Sequence, residues 1–452
     1  MHPWVGAGPD DRRHILDELG LNTIDDLFAT IPPEVCVDRL DLASAQDEES
    51  VWLEMSRMAM SNLALDCAPS FLGAGVYRHI RPAVVNAVLS RAEFFTSYTP
   101  YQPEISQGTL QVIFEFQTLI SRLTGLPVAN ASLYDGATAL VEAVLFSHRV
   151  LRGRRGLAVV AETIHPMYRR VLDTYAEAAG IEIVVVSPEK DGRLDPDRVR
   201  EAAGDRACCV ALQSPNFLGI VEDLPRLANA AHESGALAVQ VVTEAVSLGL
   251  LEGGGAYEFD VVCGEAQSFG VAPGFGGPHL GFFACTEKNV RQMPGRLAGE
   301  TVDEDGRRAF CLTLSTREQH IRRAKATSNI CTNQGLMALA ATVWLEAIGG
   351  AGLRELATSC LARSEELKRR ISALDGPWRL AYPNAPTFNE FLLTGPGNGA
   401  DLVDRVASEG VLIGVPAVKW GGSWPDGVLV AATELNTSAD LDALVAALEA
   451  VS

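Results

Sequence analysis

The chain has 452 residues, 47% of them apolar and 21% charged, so it is long enough for a large domain and a smaller one, and global disorder is excluded. Its formal net charge of −20 argues against nucleic acid and anionic membranes as partners, because both repel an acidic surface. We therefore expect a soluble protein that binds neither.

Cysteine usage and the chain start predict a cytoplasmic protein without a metal site. The nine cysteines form no CxxC pair, which disfavours zinc, and buried free thiols are typical of a reducing compartment. The N-terminal residues lack the apolar region of a signal peptide. The apolar stretch 336–353 is interrupted by a glutamate and two glycines, which favours a buried helix over a membrane span.

Residues 1–65 are predicted to form a helical arm. Asp10 is expected to cap a helix that ends at Gly20, and Thr23 to cap a second one that stops before Pro32. Two or three short helices cannot bury a core by themselves, so this arm is not expected to be an independent domain.

Residues 66–330 are predicted to form a large α/β domain. Short Val-rich apolar runs start at positions 157, 181, 207, 237, 259 and 281, and helical patterns lie between most of them. Continuous apolar runs are typical of strands buried on both faces, and the alternation favours a mostly parallel sheet. Ligands bind such sheets at the carboxyl ends of the strands.

Residues 331–452 are predicted to form a connecting helix and a small C-terminal α+β domain. A long helical region runs from about 331 to 374, and the segments after it follow a β-α-β-β-α order.

Four candidate positions for ligand binding follow the predicted strands or begin a helix. Gly136 and Thr138, in SLYDGATAL, start a helix whose free N–H groups favour an anion, although an ordinary N-cap has the same pattern. His165 could stack on a flat ring or cap a surface loop. Glu244 could pair with a protonated pyridine nitrogen or form a salt bridge. The segment 263–284, a predicted strand, a glycine-rich loop and another strand, comes next.

The order of these elements is that of fold-type I proteins that use pyridoxal phosphate (PLP). Such proteins form an imine between PLP and a lysine, but none of the five lysines here lies between positions 244 and 277. Gln267, or a neighbour, occupies the position of the amine, and an amide cannot form an imine. Lys325 is the only other plausible donor, and it lies outside the strand-end position.

Longer strings carry a family resemblance over essentially the whole chain. The chain resembles the P-protein family of the glycine cleavage system, in particular the first subunit of its split form. The strings are FLGAG (71–75), YTPYQPEISQGTLQ (98–111), ANASLYDGATAL (129–140), PGRLAGETVDEDGRRAF (294–310) and REQHIRRAKATSNICTNQ (317–334).

The resemblance implies a fold-type I subunit with a degenerate cofactor pocket. It further implies a PLP-bearing second subunit, an α2β2 assembly, decarboxylation of glycine, and transfer of the aminomethyl group to the lipoyl arm of the H-protein. No cofactor is then expected to be covalently bound to this chain.

Two segments are candidates for completing the partner's active site. The first is the proline-stiffened loop with Tyr98, Tyr101 and Glu104, which could equally be an interface packing loop. The second is the basic stretch from 291 to 325 with the Thr327-Ser328-Asn329 sequence after it.

That second segment offers possible phosphate contacts at Thr327, Ser328 and Asn329. Intersubunit salt bridging is the alternative for its arginines, which include Arg296, Arg307, Arg308 and Arg317.

One departure from the family pattern leaves alternatives open. Glu244-Ala245 stands where relatives typically have Asp-Pro. The chain could therefore be a paralogue that acts on another amino acid, or a catalytically dead scaffold or regulatory subunit.

Overall fold

A computed structural model describes residues 6–37 and 40–452, and it divides the chain into two compact units, Met1–Leu63 and Ala64–Ser452. The predicted arm therefore includes a few residues outside the described ranges. Neither the arm's predicted end at residue 65 nor the predicted domain boundary near residue 331 is tested by this division.

Within its described residues, the first unit contains two helices, α1 (Pro9–Leu19) and α2 (Glu48–Ala59), and two 3₁₀ turns, Ile24–Phe28 and Pro33–Val35. The prediction that Asp10 caps α1 is wrong. Gly8 is the N-cap, and its N–H donates to the carboxylate of Asp11, 2.8 Å away. Gly20 ends α1 with φ 67°, as its lack of a Cβ allows.

The second unit contains eleven further helices and thirteen strands within the described residues. The helices are α3 (Ala83–Leu89), α4 (Ala92–Phe95), α5 (Gln107–Thr124), α6 (Gly136–Val150), α7 (Pro166–Ala179), α8 (Pro196–Ala203), α9 (Leu224–Glu233), α10 (Gln319–Arg322), α11 (Gly335–Ser372), α12 (Gly399–Ser408) and α13 (Ser438–Ala450). The strands are β1 (Val128–Ala129), β2 (Leu157–Ala161), β3 (Glu182–Val186), β4 (Ala207–Gln213), β5 (Leu237–Val242), β6 (Val261–Glu265), β7 (Gly281–Cys285), β8 (Leu297–Val302), β9 (Arg308–Thr313), β10 (Arg379–Leu380), β11 (Glu390–Thr394), β12 (Val415–Pro416) and β13 (Val428–Ala431).

The main sheet has seven strands in the order β1-β7-β6-β5-β4-β2-β3. Five neighbouring strands, β6, β5, β4, β2 and β3, are mutually parallel, whereas β7 and β1 are antiparallel to their neighbours. The predicted α/β class with a mostly parallel sheet is confirmed, and all six predicted apolar runs form strands of this sheet. Their buried side chains belong to one large hydrophobic core.

The hairpin of β8 and β9 was not anticipated from the sequence. Its strands pair antiparallel as a separate two-stranded sheet, from Leu297 opposite Thr313 to Val302 opposite Arg308. Charged residues here cluster near the turn and do not alternate regularly with apolar ones, so the strand pattern is concealed.

The C-terminal segments form a second, four-stranded sheet with order β10-β11-β13-β12. Its core includes Phe71 as well as residues 367–448, so chain from far upstream completes it. Helix α11 bends at Gly349, where φ is 67°. By length and composition α11 could cross a membrane, but core packing buries residues on it such as Leu339 and Trp344, as in core helices of soluble proteins.

Candidate functional site

The carboxyl edge of the main sheet brings together the predicted pocket residues. His165 follows β2, Glu244 follows β5 and Gln267 follows β6, while Gly136 begins α6. All four are almost completely buried. The parallel strands explain the convergence, since their carboxyl ends meet at one edge.

A segment of the chain crosses this pocket, and its backbone and side-chain atoms form hydrogen bonds with three of the predicted residues. We call residues 73–79 the inserted segment. The Nε2 atom of His165 lies 2.9 Å from the carbonyl of Ala74. The side-chain amide of Gln267 accepts from the Tyr77 N–H at 3.0 Å and donates to the Tyr77 carbonyl at 3.1 Å.

Burial lowers the pKa of His165 to about 4, so the ring is neutral near pH 7. The N–H of Met167 donates to Nδ1, which places the ring proton on Nε2, where it is donated to Ala74. Tyr168 and Phe217 pack around the ring, with centroids 5.0 and 5.2 Å away. Both ring nitrogens of His165 are therefore hydrogen-bonded within the chain.

His79, at the end of the inserted segment, is bound by two carboxylates. Its Nε2 lies 3.0 Å from Glu244, and its Nδ1 lies 2.8 Å from Glu434. Burial by itself lowers the pKa of His79, but the charge of Glu244 and the hydrogen bonds around the ring raise it well above its ordinary value. The resulting imidazolium gives Glu244 the N–H⁺ partner that a pyridinium ring would otherwise supply.

The cluster of His79, Cys360 and Glu434 offers three atoms able to ligate a metal ion, all within 4.8 Å of one another. The thiol of Cys360 donates to Glu434 at 3.2 Å, and the two nitrogens of His79 are paired with carboxylates. Direct hydrogen bonds thus satisfy this cluster, and an ion is not required to hold it together.

The anion position at the start of α6 is filled by a side chain of the protein. Asp135 is the N-cap and accepts from the N–H of Thr138 at 2.7 Å. The N–H of Gly136, which has no acceptor within the helix, donates to Glu265 at 3.0 Å. Glu265 also accepts from the N–H groups of Gln267 and Leu280, while its burial raises its pKa.

These contacts show that the pocket does not fit PLP. The ring-stacking residue, the partner of the ring nitrogen and the residue at the lysine position are all bonded to the inserted segment, and Glu265 occupies the helix N-terminus that would bind phosphate. A cofactor would have to displace all of these contacts at once. Sequence reasoning identified the pocket but missed His79, which lies outside the motifs considered, and Glu265, which lies two residues before Gln267.

The loop predicted to complete a partner's site lies at the surface. Tyr98 is 80% exposed and Tyr101 is 49% exposed, while Glu104 is also exposed. A groove of about 280 Å³ runs beside the loop, between it and the start of α11. Phe95 and Leu336 line this groove and are partly exposed, which leaves apolar surface beside the two tyrosines.

The predicted phosphate contacts lie apart from the filled pocket and are partly engaged. The hydroxyl of Ser328 donates to Glu142 on α6 at 2.7 Å, and the N–H of Thr327 donates to the Arg317 carbonyl at 3.1 Å. Asn329 is exposed. Binding of phosphate by these three residues stays a prediction.

The fold and the pocket define a class of protein: a fold-type I PLP-enzyme scaffold whose own pocket lacks the anchoring lysine. The chain belongs to the glycine cleavage system P-protein family, whose pattern matches residues 2–448.

Individual relatives agree with this assignment. The probable glycine dehydrogenase (decarboxylating) subunit 1 of Xanthobacter autotrophicus is 49% identical, over 99% of both chains. The crystal structure of inhibitor-bound glycine decarboxylase (P-protein) of the glycine cleavage system has a TM-score of 0.89 at 43% identity, covering 99% of this chain and 100% of that one. A NifS-like protein, 11% identical with a TM-score of 0.64 over 85% of this chain and 99% of that one, shares the fold.

Proposed function

We propose that this chain is subunit 1 of a heteromeric glycine dehydrogenase (decarboxylating). In this proposal the homologous second subunit carries PLP, and the two pair as an α2β2 complex in the cytoplasm. The complex decarboxylates glycine and passes the aminomethyl group to the lipoyl arm of the H-protein. The present chain supplies surface groups to its partner's active site.

The filled pocket is the observation that carries this proposal. Residues 73–79 and Glu265 hydrogen-bond to the groups that would hold PLP in this chain, which supports the proposal that PLP is carried by a partner. The names of its relatives, which include the words subunit 1, support the existence of that partner.

The loop residues have the chemistry that a shared site needs. Tyr98 and Tyr101 present hydroxyl groups, and Glu104 presents a carboxylate, on a loop held by Pro100 and Pro103. A stiff loop places such groups at little entropic cost. Their exposure in the lone chain leaves them accessible to a second subunit.

Glycine-dependent exchange of labelled bicarbonate tests the proposal. The assay contains PLP and lipoylated H-protein, with this chain alone, the partner alone, or both. We expect exchange only when both are present, since the lone chain has no imine-forming lysine in its pocket. Exchange by either subunit alone, or none by the pair, would refute the proposal.

A catalytically dead scaffold is distinguished by changes in the loop. We expect Tyr98→Phe, Tyr101→Phe and Glu104→Gln each to lower kcat of the assembled complex by about 10-fold or more, because misplaced groups cost that much. Glu177→Gln, which changes an exposed carboxylate on α7, is the matched control. Full activity in all three loop variants would favour the scaffold.

The two remaining alternatives have direct tests. A paralogue for another amino acid would exchange label with that amino acid and not with glycine. An independent enzyme using Lys325 would hold PLP in a borohydride-reducible form, although Lys325 is exposed in a short 3₁₀ turn and the pocket position of Gln267 is 2% exposed.

A further inference from the structure

Arg296 differs from its basic neighbours in being buried. Its side chain is 4% exposed, whereas Arg307 and Arg308 are 77% and 61% exposed and pair with acidic residues of the same hairpin. Arg296 directly precedes β8. Burying a guanidinium is costly unless it is paired, so its contacts should have a definite structural or functional consequence.

Two nitrogens of Arg296 connect it to Glu318 and to the exposed loop. Nη2 donates to the hydroxyl oxygen of Tyr101 at 2.8 Å, and Nε donates to Glu318 at 3.2 Å. His320 lies 3.6 Å from the same Glu318 oxygen and packs edge-on against the Tyr101 ring, 5.6 Å between centroids. Tyr101 is therefore held both at its hydroxyl and at its ring.

The backbone beside Arg296 is fixed as well. The guanidinium of Arg317 donates to the carbonyls of Met293 and Gly295, the residue before Arg296. Arg296 thus contacts Tyr101, 195 positions away in the sequence, from backbone that Arg317 holds in place.

We propose that Arg296 is a positioning residue that presents the Tyr101 hydroxyl as a hydrogen-bond donor to an anionic group in the partner's active site. This inference rests on the proposed function. Because Arg296 can only donate, it occupies a lone pair of the Tyr101 oxygen and leaves the phenolic proton free. That proton is then available for donation to an acceptor. The class of acceptor best matched to it is a carboxylate or phosphate oxygen.

The alternative is that Arg296 merely holds the β8–β9 hairpin in place. A structural role predicts that replacing Arg296 lowers stability or assembly, and that it does so by the same factor whether or not Tyr101 has its hydroxyl. A positioning role predicts loss of kcat in an assembled complex, and only while the hydroxyl is present.

A double-mutant cycle on the complex with the partner subunit separates the two roles. The variants are Arg296→Gln, Tyr101→Phe and the pair together, with Arg296→Lys as the conservative change and Glu177→Gln, at an exposed carboxylate on α7, as the control. Assembly is followed by size-exclusion chromatography, stability by Tm, and glycine exchange by kcat and KM.

We expect Arg296→Gln to lower kcat about 10- to 100-fold in an assembled complex, and the double variant to be no slower than Tyr101→Phe alone. Arg296→Lys should recover part of the loss, because a lysine donates without the planar fork. Glu177→Gln should match the wild type. An unchanged kcat in Arg296→Gln, or losses that multiply in the double variant, would overturn the proposal.

A second measurement does not depend on activity. With 3-fluorotyrosine placed at position 101 of the full chain, we expect one ¹⁹F resonance that moves towards the solvent-exposed value in Arg296→Gln and not in Glu177→Gln. An identical resonance in all three proteins would refute the positioning role. A wild-type complex that fails to exchange label, with the resonance shift present, would refute the proposed function alone.

Discussion

Glu390 illustrates how a single buried carboxyl depends on its neighbours in the inserted segment. Tyr77 donates its hydroxyl to Glu390 at 2.9 Å, and the N–H of Ala74 donates to the other oxygen at 2.7 Å. Burial raises the pKa of Glu390 from 4.5 to about 7. The folded protein thus favours the neutral acid, and the associated stability is present below about pH 4.5 and is lost as pH rises through about 7.

We predict that Glu390→Gln removes this loss, since glutamine resembles the neutral acid. A shift from 4.5 to about 7 corresponds to about 3 kcal/mol. The variant should be similar to the wild type at pH 5 and more stable by up to about that amount at pH 8.5. Urea unfolding at the two pH values measures the difference, with Glu177→Gln as control. Parallel curves for the wild type and Glu390→Gln would contradict the assignment.

At the scale of elements, the inserted segment substitutes for a cofactor by making many contacts at once. It engages His165, Gln267 and Glu244 from Ala74, Tyr77 and His79 respectively. Restoring one missing group therefore does not restore the pocket, because the other positions remain occupied.

We predict that Gln267→Lys does not bind PLP. The new ammonium would find the carbonyls of Tyr77 and Val271, which already accept from the Gln267 amide. Absorbance of an internal aldimine and borohydride fixation of PLP test this directly, with the wild-type chain treated in parallel. A stoichiometric, borohydride-fixed adduct at position 267 would show that the inserted segment can be displaced.

At the scale of the whole molecule, the hydrophobic cores found among the described residues are formed by side chains of Ala64–Ser452. The four clusters of buried apolar side chains run from Phe71 to Leu448. Helices α1 and α2 of the first unit contain no buried residue. The stability of the cores is thus a property of the second unit.

We predict that residues 64–452 fold without the first unit. Calorimetry should give one cooperative transition with a Tm within about 2 °C of the full chain, because the buried side chains of the described cores all belong to residues 64–452. The near-ultraviolet circular dichroism of both proteins serves as the check on tertiary packing. A broad or much earlier transition would mean that residues 1–63 contribute to the cores after all.

Local sequence patterns predicted the elements where one residue type repeats regularly. The Val-rich runs gave the central strands, and the helical patterns between them gave α6 to α9. Patterns failed where the signal is short or mixed: β1 has two residues, and charged residues do not alternate regularly with apolar ones in the β8–β9 hairpin. The N-cap of α1 was missed because Asp10 and Gly8 are both acceptable caps, and the backbone decides between them.

The sequence by itself determined the class of protein, because the order of strands, helices and polar positions is local and the absence of a lysine between 244 and 277 is a matter of composition. Only the tertiary structure decided what replaces the cofactor. His79 meets Glu244 across 165 positions, Gly136 meets Glu265 across 129, and Tyr101 meets Arg296 across 195. Such pairs are set by sheet topology and loop packing, which no local pattern of residues encodes.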